Sequence, residues 1–529
     1  MIQDKKSSNL YEEIWGHRFK NGQTSHECML EFLNVLRGTN YQFNSKGYFR
    51  RKSIALRQFV FKEDLKNYFE QMPSEVSQLI SKVLPDDQNR QEFVRDLLRS
   101  YTIVERKRSW YAKFLFPIHE ELLFVELRSN IKQERIGIER NFFARGGELY
   151  YLMLSKAEND RAKEEIGKKI KDILTKSNSA IGEIARIINE TAATKETGVT
   201  YYAEDNHLAP LEPSDRDYPY LPAGHCPYYD KMTKHVQSLL RVNIEETEML
   251  YLFNTLISLH VINYILRRAH HGCTQCSSEI TCTPEIFVDC HIGSENPEIR
   301  RLSSKHFKRM ELRIRSKVTQ HLDSRLQQIF NKRFNEENRS MMEGYLSLGE
   351  DIKEAFYYKS LRKPNRDKID GLLKKGQQIV KGDKSKKEEI MNKVYNLIRE
   401  GLESVVLKQA DKNFIPIHKA IAKEIGLAGY KVGENYRYTL SDNVVKVMVL
   451  SLLRPGDKME FSDFVNRVWE NFGLIIGLNE ADHTGIYKES KLNIKYFEDN
   501  LDQFRIRLKN NGLLREYSDA TAMVKNPYI

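Results

Sequence analysis

The sequence predicts a mostly α-helical, multidomain protein with minor β structure, and three observations lead to this fold class. Apolar residues recur at helical spacing over much of the chain, as at Phe497, Leu501, Phe504 and Leu508. The 529 residues exceed the usual length of one domain. A composition of 40% hydrophobic and 30% charged residues is typical of a folded chain and not of a disordered one.

Changes in composition along the chain divide it into five segments. A dense group of prolines marks the clearest boundary, because prolines exclude long helices: Pro210, Pro213, Pro219, Pro222 and Pro227. The five expected segments are an N-terminal, mostly helical domain with a basic strand near residues 57–62 (1–190), a Pro/Tyr-rich connector (191–235), a helical domain with a cysteine cluster (236–345), a charged helical connector (346–435) and a winged-helix domain (436–529).

Composition also excludes several classes of protein. No uninterrupted apolar run reaches the roughly 18 residues that a membrane span needs. Asn254, His260 and Asn263 interrupt the longest apolar stretch, so residues 245–268 are predicted to form a core helix. The first residues lack the apolar segment of a secretory signal, and six cysteines are too few for a disulfide scaffold. We therefore expect a soluble protein of the bacterial cytoplasm, without a membrane partner.

Four of the six cysteines, Cys273, Cys276, Cys282 and Cys290, fall close together and suggest a metal site. Zn²⁺ binds four thiolates tetrahedrally, and a Cys-x-x-Cys turn brings two of them to one ion. Four thiolates would leave no open position, so a structural zinc is expected. An iron–sulfur cluster remains an alternative, as do unligated thiols.

The last ninety or so residues predict a winged helix-turn-helix. A helix follows Asp442, a second follows Glu460, a third covers residues 494–510, and a hairpin covers residues 513–524. The third helix carries residue types that contact bases or phosphates, and the hairpin adds one more. The candidate DNA-binding residues are Gln503, Arg505, Arg507, Lys509 and Arg515. Protein–protein packing is the alternative use of such a domain.

Three stretches resemble proteins encoded in prokaryotic antiphage defence islands. They are residues 10–26 (LYEEIWGHRFKNGQTSH), residues 142–151 (FFARGGELYY) and residues 504–528. The chain is most similar to an accessory, non-helicase component of a Druantia-type system, and next to a phosphorothioation-linked restriction accessory protein. The resemblance implies a role in resisting phage beside a separate helicase or nuclease subunit, and it assigns no catalytic residues.

No complete catalytic motif is present: a Walker A loop, a Gly-x-Ser-x-Gly elbow and a His-Glu-x-x-His helix are all missing from the sequence. The net charge of +11 permits a polyanionic partner without requiring one. The sequence therefore predicts a DNA-associated accessory or scaffold subunit that is not itself an enzyme. Two alternatives stay open: a metal-dependent nuclease with dispersed carboxylates, and a winged-helix transcriptional regulator.

Overall fold

A computed structural model confirms that the protein is mostly helical, with short strands between the helices. The structure describes residues 10–17, 19, 23–48, 51–53, 56, 60, 87–104, 113–123, 128–130, 135–137, 145–176, 179–193, 202–204, 209–210, 219–270, 283–291, 296–334, 341–356, 358, 361, 363–383, 386–430, 435–518 and 521–528.

The first half of the chain alternates helices with strands of two or three residues. In chain order the elements are α1 (Leu10–Trp15), α2 (Ser25–Gly38), β1 (Gly47–Tyr48), β2 (Arg51–Ser53), α3 (Asp87–Ser100), β3 (Thr102–Val104), β4 (Lys113–Leu115), a 3-10 turn (Glu120–Leu122), β5 (Arg128–Asn130), β6 (Arg135–Gly137), α4 (Gly146–Ser155), α5 (Asp160–Lys176), α6 (Ser179–Ala193), β7 (Tyr202–Glu204), β8 (Ala209–Pro210), α7 (Pro227–Leu240) and α8 (Glu246–Arg268).

The second half contains the longest helices. Its elements are β9 (Ile286–Phe287), α9 (Pro297–Phe334), α10 (Met341–Ala355), α11 (Lys363–Gly382), α12 (Lys387–Gln409), a π-helical turn (Ala410–Phe414), α13 (Ile415–Glu424), β10 (Ala428–Gly429), β11 (Arg437–Tyr438), α14 (Asp442–Leu452), β12 (Lys458–Glu460), α15 (Phe461–Phe472), β13 (Leu474–Ile475), α16 (Leu478–His483), α17 (Ile486–Ser490), α18 (Ile494–Asn510), β14 (Leu514–Ser518) and β15 (Thr521–Lys525).

The strands form small sheets between the helices. Five antiparallel pairs are β1–β8, β2–β7, β3–β4, β5–β6 and β10–β11, and β9 pairs with β13 in parallel. The C-terminal sheet has three antiparallel strands in the order β12–β15–β14. Strand β12 precedes α15, and the other two strands follow α18. The sheet therefore joins the end of the C-terminal segment to a strand near its start.

Helix α8 passes through the centre of the core, as the sequence predicts. It is long and apolar enough to cross a membrane, but 94% of its most apolar window is buried inside the protein. Trp15 Nε1 donates a 3.0 Å hydrogen bond to the carbonyl of Ile265, and Tyr264 Oη donates to the carbonyl of Trp15, also at 3.0 Å. These buried bonds attach α1 to α8, which is a buried core helix.

Helices α9 to α12 pack as a four-helix unit in which each helix contacts the next and α12 returns to α9. Two glycines allow this close packing. A Cβ on Gly376 would collide with the hydroxyl of Tyr345, and one on Gly401 would collide with the side chain of Leu372. The charged connector of the sequence analysis is therefore an ordered helical assembly over its described residues.

Little of the predicted basic strand near residues 57–62 lies within the described residues, and what is described is helical. Leu56 and Val60 are both helical and fully buried. Their separation by four residues matches one turn of a helix. The strand prediction is therefore wrong at Val60, and the other residues of the predicted strand lie outside the described residues.

Candidate nucleic-acid interface

Helix α18 buries the face that the sequence predicts. Phe497, Phe504 and Leu508 are fully buried, and Leu501 packs against the same core. Asn500 is also fully buried: its Nδ2 donates 2.9 Å hydrogen bonds to the carbonyls of Val288 and Ile476. The helix is therefore anchored to the strand region around residues 283–291 as well as to its own segment.

Arg507 is occupied by contacts within the chain. Its Nε donates a 2.9 Å hydrogen bond to the carbonyl of Cys290, and a terminal nitrogen donates to the carbonyl of His291 at 3.4 Å. Only 11% of the Arg507 side chain is exposed to solvent. In this arrangement the guanidinium joins α18 to the segment that ends the cysteine cluster.

The other two basic residues predicted on α18 share one acidic partner on β14. Arg505 Nε lies 3.1 Å from Glu516 Oε1, and Lys509 Nζ lies 2.7 Å from Glu516 Oε2. Exposed ion pairs of this kind contribute less than about 1 kcal/mol, so a phosphate could replace Glu516. Gln503 is half-buried.

The solvent-exposed surface of α18 has no excess of positive charge. Glu498 and Asp502 are exposed one turn apart, and Ile506 follows them with 43% exposure. Asp499, half-buried beside them, adds a third acid. A mixed surface of this type suits a protein partner at least as well as a DNA groove.

The outer face of the C-terminal sheet is positively charged. The antiparallel register places Lys458 of β12 directly opposite Lys525 of β15, and Arg515 of β14 opposite Met523 on the same face. The Arg515 guanidinium lies 5.2 Å from the centroid of the Tyr517 ring, which is 51% exposed. Among the described residues, no carboxylate lies within 4.0 Å of Lys458, Lys525 or Arg515.

This basic sheet face, defined as Lys458, Lys525, Arg515 and Tyr517, is fixed by the pairing of β12. The sequence identifies Arg515 as a candidate but not Lys458, because it predicts no strand between the first two helices of the winged helix. Glu460, on the same side of β12, adds one negative charge. The alternation of charged, apolar and charged side chains at Lys458, Met459 and Glu460 is the signal in the sequence that could have revealed the strand.

The predicted metal site lies mostly outside the described residues, since Cys273, Cys276 and Cys282 belong to the segment 271–282. Cys290 is described and fully buried, and burial raises the pKa of its thiol. Its backbone N–H donates a 2.9 Å hydrogen bond to Asn500 Oδ1. No group of three His, Cys, Asp or Glu side chains among the described residues could hold a metal ion.

A buried pair of carboxyl groups joins α2 to the start of α4, and the sequence analysis did not identify it. Glu31 Oε2 accepts a 2.7 Å hydrogen bond from the backbone N–H of Gly147. Glu148 accepts a hydrogen bond from Tyr48 Oη and lies 3.3 Å from the Arg145 guanidinium. Burial, followed by the charge of Glu148, raises the pKa of Glu31 to about 8.

Packing at the Gly146-Gly147 pair explains why Glu31 caps this helix. A Cβ on Gly147 would collide with the backbone of Phe32 and Cys28, so the start of α4 lies against the α2 backbone. Arg145 precedes the helix with a positive φ of 60° and supplies no side-chain cap. The carboxyl group of Glu31 takes that role from the neighbouring helix.

No family model matches the chain, and no curated protein and no solved structure matches it either.

Proposed function

We propose that the protein is a nucleic-acid-binding accessory subunit whose C-terminal segment, residues 442–525, is a winged helix. The order of elements supports this: a helix, a strand, a second helix, a third helix and then a hairpin whose second strand, β15, pairs with the first strand, β12. That order is typical of winged-helix domains, with α15 and α18 as the second and third helices. Helices α16 and α17 are insertions between them.

The observation that carries the binding proposal is the placement of Lys458 opposite Lys525. Like charges directly opposite each other on antiparallel strands repel and destabilise the pair. Arg515 adds a third positive charge on the same face, and Tyr517 offers an exposed ring for stacking. Phosphates of a nucleic acid would neutralise these charges, and counterion release would favour binding.

The winged helix would bind through this sheet face more than through the third helix. Arg505 and Lys509 would also contact phosphates after their ion pairs with Glu516 break, and breaking these pairs would cost little free energy. Arg507 would hold α18 in place through its bonds to the carbonyls of Cys290 and His291. Sequence preference would then be weak, because phosphate contacts carry no base information.

In the cell we propose that this subunit acts in antiphage defence beside a separate helicase or nuclease. Support comes from the resemblance of residues 10–26, 142–151 and 504–528, and from the lack of a catalytic motif in the sequence. A structural zinc at Cys273, Cys276, Cys282 and Cys290 would stabilise the segment that precedes Arg507's carbonyl partners. The bonds from Asn500 and Arg507 to residues 290–291 would then couple that zinc site to α18.

The test is a triple variant of the basic sheet face, Lys458→Gln, Lys525→Gln and Arg515→Gln. Affinity for a duplex and for a single strand of the same sequence is measured over a range of salt concentrations. If each residue contacts one phosphate of a duplex, the slope of log affinity against log salt should fall by roughly 2.7. The matched control removes the same charge from α5, at the exposed residues Arg161, Lys168 and Lys169.

The control should bind as the wild-type protein does and keep its melting temperature. The sheet variant should melt at the same temperature or slightly above it, because the repulsion between Lys458 and Lys525 is removed. An unchanged salt slope in the sheet variant would reject nucleic-acid binding by this face. The exposed Ile506 and Tyr517 would then favour a protein partner for the same domain. A defence assay with the complete set of subunits would show whether protection falls together with affinity.

A further inference from the structure

Helix α11 turns a face rich in lysine to the solvent. Its exposed residues include Lys363, Lys374, Lys375 and Lys381, which we call the lysine face. On the opposite side Ile369 and Gly376 are buried in the four-helix unit. The lysine face is therefore not needed to pack α11 against its neighbours.

The acidic side chains near the lysine face are mostly used elsewhere. Asp370 pairs with Lys353 at 2.8 Å, and Asp383 pairs with Lys393 at 2.6 Å. Asp367 is the exposed acid on α11 itself. Among the described residues, no carboxylate lies within 4.0 Å of any of the four lysines, so the positive charge of the face is largely uncompensated.

Gly371 lies in the middle of this helix and has no packing reason to be glycine. Nothing lies within 4 Å of the position that its Cβ would take, whereas Gly376 is crowded by Tyr345. Glycine in the interior of a helix destabilises it relative to alanine. Gly371 is one helical turn from Lys374 and from Lys375, and an uncovered backbone at this point allows another molecule to come close.

We propose that the lysine face of α11 is a second contact surface for the phosphate backbone of the nucleic acid that the basic sheet face binds. The inference rests on the proposed function for its choice of partner. Lys363 and Lys381 are 18 residues apart, which corresponds to about 27 Å along a helix axis. This length is about four-fifths of the roughly 34 Å turn of duplex DNA, so several phosphates can lie along the face.

The experiment replaces all four lysines by glutamine, which keeps helix propensity while removing charge. The control carries four glutamines on α5, at Arg161, Lys168, Lys169 and Lys171. With duplex DNA as the probe, the lysine-face variant should lower the log–log salt slope by up to about 3.6, at 0.9 for each phosphate contact. The control should leave the slope unchanged.

A second variant, Gly371→Ala, separates binding from folding. Alanine should raise the melting temperature of the protein, because it favours the helix and meets no neighbour. The added methyl group should nevertheless weaken duplex binding, because the phosphate backbone passes close to this position. A more stable protein that binds less tightly is a result that general damage to the fold cannot produce.

The sheet variant and the lysine-face variant test the two surfaces separately. If the sheet variant loses affinity while the lysine-face variant keeps the wild-type slope, this inference is overturned and the proposed function stands. If only the lysine-face variant loses affinity, the lysine face binds nucleic acid but the sheet face is the wrong site, and the inference that both faces bind one molecule is overturned together with the proposed sheet contact. Wild-type binding by Gly371→Ala overturns the close approach at this position.

Discussion

His260 Nε2 lies 3.1 Å from His235 Nδ1 in the centre of the protein, and both rings are buried. Tyr150 Oη lies 3.0 Å from His260 Nδ1, and His235 Nε2 lies 3.1 Å from Asn471 Oδ1. Asn471 Nδ2 donates to the carbonyl of Arg467, which orients its Oδ1 toward His235. The two histidines therefore connect α4 to α15 through α8 and α7.

This arrangement assigns one tautomer to each histidine. His235 must donate from Nε2 to Asn471, so its Nδ1 accepts from His260 Nε2. His260 Nδ1 then accepts from the hydroxyl of Tyr150. Both rings are neutral, and every ring nitrogen has a partner. Adding a proton to His235 would bring two N–H groups face to face.

The first prediction is a loss of stability in mild acid. Burial lowers the pKa of His235 to about 4 and that of His260 well below its ordinary range. The folded protein thus binds these protons less tightly than the unfolded chain does. The stabilisation is complete above about pH 6.5 and is lost as the pH falls toward 4. Denaturant unfolding between pH 7.5 and 4 measures it.

A variant distinguishes the buried pair from other acid-sensitive groups. His235→Gln should lower the free energy of unfolding at neutral pH but reduce its dependence on pH. His225→Gln changes an exposed histidine and serves as the control. Equal pH dependence in His235→Gln and the wild-type protein would contradict this assignment. Burial also lowers the pKa of His26, His306 and His418, so some dependence should remain.

The second prediction concerns the alkaline side and Glu31. Its folded-state pKa of about 8 lies above the ordinary 4.5, so its contribution is complete below pH 4.5 and is lost as the pH rises through 8. Glu31→Gln keeps an oxygen for the N–H of Gly147 and cannot ionise. Above pH 8 this variant should be more stable than the wild-type protein by up to a few kcal/mol.

The neighbouring carboxylate should behave in the opposite way. Glu148→Gln removes the charge that pairs with Arg145, so it should lower the free energy of unfolding at pH 7. Urea unfolding of both variants at several pH values gives the comparison. If Glu31→Gln is less stable than the wild-type protein at pH 7, where a carboxyl group with a pKa of about 8 should still hold its proton, the interpretation is wrong.

Sequence reasoning succeeded where periodicity is strong. Residues 245–268, 461–472 and 494–510 form helices because their apolar residues repeat with the helical period. It failed where contacts between distant parts of the chain determine the strand pairing or the hydrogen-bond partner of a residue. The strand pairing of Lys458 and the partner of Glu31 depend on residues that are distant in the chain. The bonds from Arg507 to two carbonyls could not be predicted either, because these partners lie more than 200 positions away in the chain.

The third prediction separates Arg507, which anchors α18, from the half-buried Arg505. Arg507→Ala leaves the carbonyls of Cys290 and His291 without these donors, so it should lower the free energy of unfolding by about 1–3 kcal/mol. Arg505→Ala removes a partly exposed ion pair with Glu516 and should lower the free energy of unfolding by less than about 1 kcal/mol. Equal stability of the two variants would contradict the anchoring role of Arg507.

The fourth prediction is a bound structural metal. Purified under reducing conditions without chelator, the protein should contain about one zinc ion per chain, held by Cys273, Cys276, Cys282 and Cys290. Cys276→Ser should lose the zinc and destabilise the segment around residues 270–295, because structural zinc contributes directly to folding. Elemental analysis and limited proteolysis measure both effects.

Cys226→Ser is the control for the metal site, since Cys226 lies at the start of α7, outside the cluster. It should keep the zinc and the protease resistance of the wild-type protein. Because burial raises the pKa of the Cys290 thiol, zinc binding must displace its proton, and affinity should fall as the pH falls. A preparation that contains neither zinc nor iron would reject the site, and iron in place of zinc would indicate an iron–sulfur cluster at the same cysteines.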